Sequence, residues 1–200
     1  AFMLIKRVSH AAGWGIYNKD IGTSKYMLMD TGVSLTETTD YTAAGDHWNG
    51  TTPTDTNFSL GGHYEVNYTG NTYVAYLFAD NSSELADNQM IKCGSYSGNS
   101  SSNGPVINLG WEPQFVMVKS TTATSNWWMF DMMRGMTVGG NDARIAANAS
   151  AAEIGTNVML SPTPTGFQIT NNWGEVNSTG NTYIYMAIRA PMMVEPEAAT

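Results

Sequence analysis

The sequence repeats itself, and this internal repeat constrains the fold more than any other feature. Residues 2–6 match residues 115–119, since both are apolar segments that end in lysine. Further along the chain, residues 69–74 match residues 179–184 almost identically, in the same order. A unit of about 80 to 110 residues is too long for a solenoid repeat and has the size of a domain. We therefore predict a duplicated domain, with a first copy at 1–85, a second copy at 86–190 and an extended C-terminal tail at 191–200.

The second copy begins with a segment that the first copy lacks. Residues Met90 to Gly98 have the apolar and aromatic content of a β-strand, and the polar turn at 99–104 follows them. An equivalent strand for the first copy would lie upstream of Ala1. We therefore expect either that this N-terminus is internal to a larger or processed product, or that a partner subunit supplies the missing strand.

The composition and the short apolar segments predict an all-β protein. The chain contains 20 glycines, and only 13% of its residues are charged. Period-two patterns and β-branched or aromatic residues mark the candidate strands. These are 2–6, 14–17, 25–29, 58–60, 73–79, 90–97, 114–119, 126–132, 167–170 and 182–189. Many short strands joined by polar turns favour an antiparallel β-sandwich or jelly-roll-like fold.

Three segments carry more specific predictions. Residues 73–78 and 183–188 are apolar on both faces, so we expect each to form a central, buried strand. Residues 142–154 are the only helix-like stretch, and a loop is the alternative there.

The charge and the cysteine content exclude several classes of protein. Nine Lys and Arg residues against 17 Asp and Glu give a net charge of −8, which argues against nucleic-acid binding and a polybasic membrane anchor. No apolar run approaches the roughly 20 residues of a membrane-spanning helix. The single cysteine, Cys93, rules out an intrachain disulfide and a cysteine-rich zinc site. We expect it to be a small buried residue.

The motifs of the second copy resemble a known family. An apolar strand ending in lysine, Phe115–Lys119, is followed by Ser125-Asn126-Trp127-Trp128-Met129-Phe130-Asp131. A Gly166-Phe167-Gln168-Ile169 strand and a long segment from Asn177 to Ile188 complete the pattern. This arrangement is similar to a repeated domain in virion proteins of marine bacteriophages, often labelled tail fibre or tail-associated. The first copy departs from the pattern, since it has Asn18 where the second has an aspartate.

The resemblance implies a structural role in a phage particle. We expect a β-rich virion protein that self-associates, as a trimer for example, in an appendage such as a tail fibre. Other virion proteins, and a glycan on the host surface, are the further partners that this implies. A capsid decoration or cement protein and a carbohydrate-binding adhesin module remain as alternatives. The family brings no catalytic residue, and we predict that the chain is not an enzyme.

The polar residues predict neither a metal nor a cofactor. His10, His47 and His63 lie far apart in loop-like sequence without zinc-site spacing. The sequence Asp46-His47, with Asp40, could touch a cation, but solvated loop residues are the preferred interpretation. Most acidic residues stand in turns, where aspartate bonds the local backbone, so no catalytic pair is predicted.

The tryptophans divide into core and contact candidates. Trp14 and Trp127 occupy matching repeat positions within apolar strands, which predicts burial. Trp48 and Trp173 stand in polar loops and are our candidates for exposed contact with a ligand or a subunit interface.

Overall fold

A computed structural model describes residues 1–34, 36–37, 46–80 and 89–189. Nearly all of its regular structure is β, and its sheets are antiparallel, as the sequence predicted. The predicted tail at 191–200 and Asp40 lie outside the described residues. No helix in the described part of the chain is long and apolar enough to span a membrane.

The N-terminal half forms a five-stranded sheet in the order β4-β3-β2-β1-β5. Its strands are β1 (Phe2–Arg7), β2 (Trp14–Asn18), β3 (Lys25–Leu28), β4 (Thr36–Glu37) and β5 (Tyr73–Phe78). Apolar side chains on both faces of β1 are buried, because this strand lies inside the sheet. The predicted strand at 58–60 is not a strand in the structure, although Phe58 and Leu60 do pack against the core.

The C-terminal half forms a second five-stranded sheet in the order β10-β9-β8-β13-β6, and a three-stranded sheet in the order β11-β12-β7. The five-stranded sheet contains β6 (Ile91–Ser97), β8 (Pro113–Ser120), β9 (Trp128–Asp131), β10 (Arg144–Ala146) and β13 (Thr182–Arg189). The small sheet contains β7 (Val106–Asn108), β11 (Leu160–Thr163) and β12 (Gly166–Ile169), and the single-turn helix α1 is Gly174–Asn177. The helix-like stretch at 142–154 instead contains β10 and turns, because Arg144 to Ala146 pair with β9.

The two five-stranded sheets pair their strands at the same register. Leu4 lies opposite Tyr76 in the first sheet, and Met117 lies opposite Met186 in the second. Along the neighbouring pair, Leu4 faces Ile16 and Met117 faces Met129. Each of these residues matches its counterpart by the offset seen in the sequence.

Three apolar layers hold the sheets together. The layer between the two five-stranded sheets includes Phe2 and Leu4 from one sheet and Met117, Trp127 and Met186 from the other. On its far side the second sheet packs against the small sheet, where the rings of Phe167 and Tyr185 meet edge to face at 5.5 Å. On its far side the first sheet is covered by the segment 46–66. Cys93 is buried in the shared layer, as predicted.

The strands at 73–78 and 183–188 have different surroundings, and the prediction for the first was wrong. β13 lies between β8 and β6, and its centre is buried. β5 pairs with β1 alone among the described strands, and Ala75, Tyr76 and Leu77 are exposed. A strand that is apolar on both faces was therefore left at an edge, because no described strand takes the place that β6 takes beside β13.

Candidate functional site

Trp48 is part of the core, and the prediction that it is exposed was wrong. None of its surface is accessible to solvent. Its indole Nε1 donates a hydrogen bond to the carbonyl oxygen of Lys25 at 2.8 Å, and its ring meets that of Tyr17 edge to face. Asp46, the polar neighbour that suggested a solvated loop, is itself buried. Its carboxylate accepts a hydrogen bond from the Trp48 amide. Trp48 is therefore the aromatic anchor of the segment that covers the first sheet.

Trp173 is half-buried and stands at the edge of a cavity. Its ring lies 5.3 Å from that of Trp128 and packs against the core of the second half. The cavity has a volume of about 340 Å³ and is lined by Arg144, Asn157, Met159, Asn171, Asn172 and Trp173. Trp173 thus keeps a surface that a ligand could contact, whereas Trp48 does not.

Trp173 belongs to a group of four side chains that we call the tryptophan cluster, namely Trp128, Arg144, Trp173 and Glu175. The Arg144 guanidinium carbon lies 5.4 Å from the Trp128 ring centroid and 5.2 Å from the Trp173 centroid, within the range of cation–π attraction. The Glu175 carboxylate accepts a hydrogen bond from Trp128 Nε1 at 2.5 Å. Burial lowers the pKa of Arg144, and the charges of Asp142 and Glu175 oppose that shift.

Three side chains in the first half form a second group, the histidine cluster, namely His47, His63 and Glu65. His47 Nε2 lies 3.1 Å from Glu65 Oε2, and His63 Nδ1 lies 3.7 Å from the same oxygen. The two imidazole rings are stacked with centroids 4.0 Å apart, and Tyr26 stacks on the other side of His47 at 3.7 Å. His47 is fully buried, and 18% of the His63 side chain is exposed.

The electrostatics of the histidine cluster favour neutral imidazole at His63. Burial lowers the pKa of His63, the neighbouring His47 lowers it further, and Glu65 acts in the opposite direction. Glu65 in turn raises the pKa of the Tyr64 hydroxyl, which donates a hydrogen bond to Glu65 Oε1 at 3.4 Å. A neutral imidazole offers a lone pair, so this group has the donor types that bind a transition metal.

The sequence pattern predicted solvated loop histidines and gave no signal for this group. His47 and His63 are separated by 15 residues of loop, a distance at which no periodic pattern signals contact. No role was predicted for Glu65. His10 lies elsewhere, where its Nδ1 is 3.1 Å from Asn71 Oδ1.

The glutamates of the two clusters stand at matching positions in the sequences of the two halves. Glu65 and Glu175 each begin a Glu-Val-Asn sequence, eight residues before Tyr73 and Tyr183 respectively. Extending the matched blocks towards the N-terminus, at the same offset, would have found this pair in the sequence.

The tyrosine hydroxyls at these positions make the same hydrogen bonds. The Tyr73 hydroxyl donates to the carbonyl oxygen of Tyr64 and accepts from the amide of Tyr68. The Tyr183 hydroxyl donates to the carbonyl oxygen of Gly174 and accepts from the amide of Ser178. Both tyrosines therefore hold the segment that carries the cluster glutamate, which is a turn in the first half and α1 in the second.

The contents of the two clusters differ around that shared glutamate. His63 stands where the second half has Trp173, and Gly15 stands where it has Trp128. A Cβ atom at Gly15 would lie 3.0 Å from Val66 Cγ1 and 3.9 Å from His47 Cδ2. A large side chain at this position would therefore collide with the segment that holds His47.

Comparison with known proteins identifies a family but no function. The sequence matches the profile of a family described as a domain of unknown function, DUF7483, over residues 1–191. No curated protein and no solved structure matches the chain. Because the match spans nearly the whole sequence, the chain belongs to the DUF7483 family.

Proposed function

We propose that this chain is a structural protein of a bacteriophage particle that self-associates in an appendage, a tail fibre or a similar structure. The likeness of the second copy to a repeated domain of marine phage virion proteins supports the setting. The edge of β5, which no strand in the described part of the chain covers, supports the self-association and is the observation that carries the proposal. The location that follows is the virion.

The proposal treats the chain as two tandem copies of one β-sandwich unit, at 1–85 and 86–190. The equal strand registers and the matching tyrosine hydrogen bonds support a common ancestry of the two halves. In the second half, the apolar layer between the five-stranded sheet and the small sheet supports a sandwich-like unit.

The backbone groups of β5 that no described strand pairs can be identified from the pattern of its neighbours. In antiparallel pairs, hydrogen-bonded and non-bonded residue pairs alternate. The Val8 amide donates to the Thr72 carbonyl, so Val74, Tyr76 and Phe78 bond to β1. The backbone groups of Tyr73, Ala75 and Leu77 therefore point to the open side.

In the second sheet the corresponding edge of β13 is paired with a strand. There, β6 lies antiparallel to β13, and the flanking bonds place Tyr183, Tyr185 and Ala187 as the residues bonded to it. These three correspond to Tyr73, Ala75 and Leu77. A row of unpaired amides and carbonyls recruits strands from other chains, so we propose that an extended strand of a neighbouring subunit docks beside β5.

The surface around this edge suits a protein partner. Leu77 is 56% exposed, and Leu77 and Phe78 line a cavity of about 530 Å³ together with Pro53 and Phe58. Apolar side chains beside unpaired backbone groups favour association with a strand that also supplies apolar contacts. Other copies of this chain, as in a trimer, and other virion proteins are the proposed partners.

Sedimentation velocity over a range of concentrations tests self-association through this edge. We expect the unmodified chain to form oligomers, and we expect Leu77→Lys to weaken them, because an edge lysine blocks strand pairing. Val138→Lys is the matched control, since it adds the same charge at a residue that is 78% exposed and distant in sequence. A chain that stays monomeric at high concentration, or a Leu77→Lys variant that assembles like the control, would contradict the proposal.

Microscopy of intact particles at subunit resolution tests the location. Density for this chain in a tail fibre or a related appendage is the expected result. Density on the capsid surface would support the alternative of a decoration or cement protein. Absence from the particle would contradict both.

A carbohydrate-binding adhesin module is the second candidate, and the cavity beside Trp173 favours it. An exposed aromatic face next to asparagine amides is the type of surface on which sugars stack. A glycan array tests this candidate, with Trp173→Ala expected to abolish binding and Trp14→Ala as the control. Release of reducing ends from host polysaccharide would contradict the proposal that the chain is not an enzyme.

A further inference from the structure

We propose that His47, His63 and Glu65 bind one divalent first-row transition metal ion, for which Zn²⁺ is the probe. This site is independent of the self-association proposed above. Its ligands are His47 Nε2, His63 Nδ1 and Glu65 Oε2, all supplied by the segment that covers the first sheet.

The three side chains have the right chemistry. Two imidazole nitrogens and one carboxylate form ligand sets for zinc and for non-haem iron, with open positions left for water or a further ligand. One ligand atom from each side chain can be chosen so that all three lie within 4.8 Å of one another. Among the described residues these side chains form a group of mixed nitrogen and oxygen donors rather than a purely acidic cluster.

The distance between the His47 and Glu65 ligand atoms fits an ion as it stands, and His63 needs a small movement. Bonds to zinc of about 2.0–2.2 Å place neighbouring ligand atoms roughly 3.0–3.5 Å apart at octahedral to tetrahedral angles. The separation of His47 Nε2 and Glu65 Oε2 is 3.1 Å, within this range. The separation of His63 Nδ1 and Glu65 Oε2 is 3.7 Å, so His63 must approach by a few tenths of an ångström.

His63 must also turn out of its stack with His47. Stacked rings, here 24° from parallel, direct their lone pairs side by side instead of at one point. His63 is the more exposed of the two rings, with 18% of its side chain accessible. Its Nδ1 accepts a hydrogen bond of 3.3 Å from the Glu65 amide, which the ion would replace. The same exposure gives an ion its route of entry.

The other nitrogen of the His47 ring is buried without a hydrogen-bond partner in the described part of the chain. This nitrogen is Nδ1, and His47 is fully buried. Buried polar atoms are rarely left unpaired, so the polar network around His47 is incomplete.

The tryptophan cluster shows that the segment around the matched glutamate can fold without two histidines. At the matching positions the second half keeps Glu175 but uses Trp128, Trp173 and Arg144, whose contacts are aromatic and cation–π. The first half has glycine in place of Trp128, and that space admits His47. His63 therefore marks a difference in chemistry at a position that the two halves share.

Titration of the chelator-treated full chain with Zn²⁺ tests the site. We expect one ion to bind per chain and to raise the melting temperature. We expect His63→Ala to weaken binding roughly 100-fold or more, because it removes a direct ligand. Loss of a partner that only orients a ligand costs about 10–100-fold. His10→Ala is the matched control and should bind like the unmodified chain.

A measurement on the unmodified chain avoids any variant that fails to fold. Zn²⁺ should shift the imidazole ¹⁵N resonances of His47 and His63 and leave those of His10 unchanged. Co²⁺ bound at the site should give visible d–d absorption bands that are more intense than those of the aqueous ion. Failure to bind at millimolar Zn²⁺, shifts confined to His10, or full binding by a folded His63→Ala variant would overturn the proposal.

Discussion

The two five-stranded sheets share a strand register, yet one is closed where the other is open. β13 is covered on both sides by β8 and β6, whereas β5 has only β1 beside it among the described strands. The side chains follow this difference, since Tyr185 is buried and its counterpart Ala75 is exposed. An apolar strand pattern therefore indicates which faces of a strand can be buried. Whether they are buried depends on whether another strand pairs beside it.

The two clusters extend the comparison to chemistry. In both halves, a tyrosine hydroxyl donates a hydrogen bond to the backbone of the segment that contains the cluster glutamate. One half surrounds that glutamate with indole rings and a guanidinium group, and the other with imidazoles. The side chains around the two matched glutamates therefore differ in chemistry.

The largest expected effect concerns the matched tryptophans. Trp127 is 1% exposed in the shared layer, and its Nε1 donates to the Leu28 carbonyl at 2.9 Å. Trp14 is only half-buried and stacks on Tyr76 at the open edge. We expect Trp127→Ala to lower the free energy of unfolding by about 3–5 kcal/mol, and Trp14→Ala by about 1–2 kcal/mol. Denaturant unfolding measures both losses. Equal losses would contradict the claim that Trp127 lies in the core and Trp14 at an edge.

The next effect concerns proline at matched strand positions. Ala187 bonds to β6, so Ala187→Pro removes a ladder hydrogen bond in a central strand, and we expect a loss of about 3 kcal/mol. The amide of Leu77 points to the open side, where proline is tolerated, so Leu77→Pro should cost less than about 1 kcal/mol. Thermal unfolding at low protein concentration separates the two. A Leu77→Pro variant as unstable as Ala187→Pro would show that β5 is not an open edge.

A smaller difference is expected for the two tyrosine hydroxyls. Tyr183 is fully buried, so Tyr183→Phe leaves a backbone amide and a carbonyl without their partner and should cost about 1–3 kcal/mol. Tyr73 makes the same bonds at an accessible edge, where water can replace the hydroxyl, and Tyr73→Phe should cost about 0.5–1 kcal/mol. A greater loss at Tyr73 than at Tyr183, measured by denaturant unfolding, would reverse the assignment of edge and centre.

The smallest effect is a dependence on pH from Lys119, the counterpart of Lys6. Burial lowers the pKa of Lys119 to about 8, and the Glu175 charge opposes the shift. Between about pH 8 and the ordinary value of 10.5, the unfolded chain holds a proton that the folded chain has released. The free energy of unfolding should therefore rise with pH in this window, by at most about 1.4 kcal/mol per unit.

Unfolding measured from pH 8 to 9 tests this contribution against two variants. Lys119→Met should remove it, and Lys6→Met should leave it in place. Cys93, whose pKa burial raises to about 12, contributes in the opposite sense above pH 9, but it is common to all three chains. An unchanged pH profile in Lys119→Met would contradict the contribution.

The sequence predicted the strands well and their neighbours poorly. Period-two patterns located β1, β2, β8 and β13, because local alternation fixes which face of a strand is apolar. The same patterns could not show that β5 lies at an edge, since edge or centre depends on pairing between distant segments. Short strands such as β7 and β11 were missed, because three or four residues carry too little periodicity.

The candidate site was the part least visible in the sequence. Polar neighbours suggested that Trp48 was exposed, but Asp46 instead bonds the local backbone of a buried segment. Trp173 kept an accessible face because a cavity opens beside its ring. The approach of His47 to His63 depends on how a loop folds over a sheet, and no spacing rule encodes that.

Amide hydrogen exchange, resolved by residue, tests most directly the claim that one sheet is open and available to a partner strand. At low protein concentration we expect fast exchange at Tyr73, Ala75 and Leu77 and strong protection at Tyr183, Tyr185 and Ala187. As concentration rises and subunits associate, the first three amides should become protected. Equal protection of both sets at low concentration, or fast exchange of the first set in the assembled state, would contradict the account.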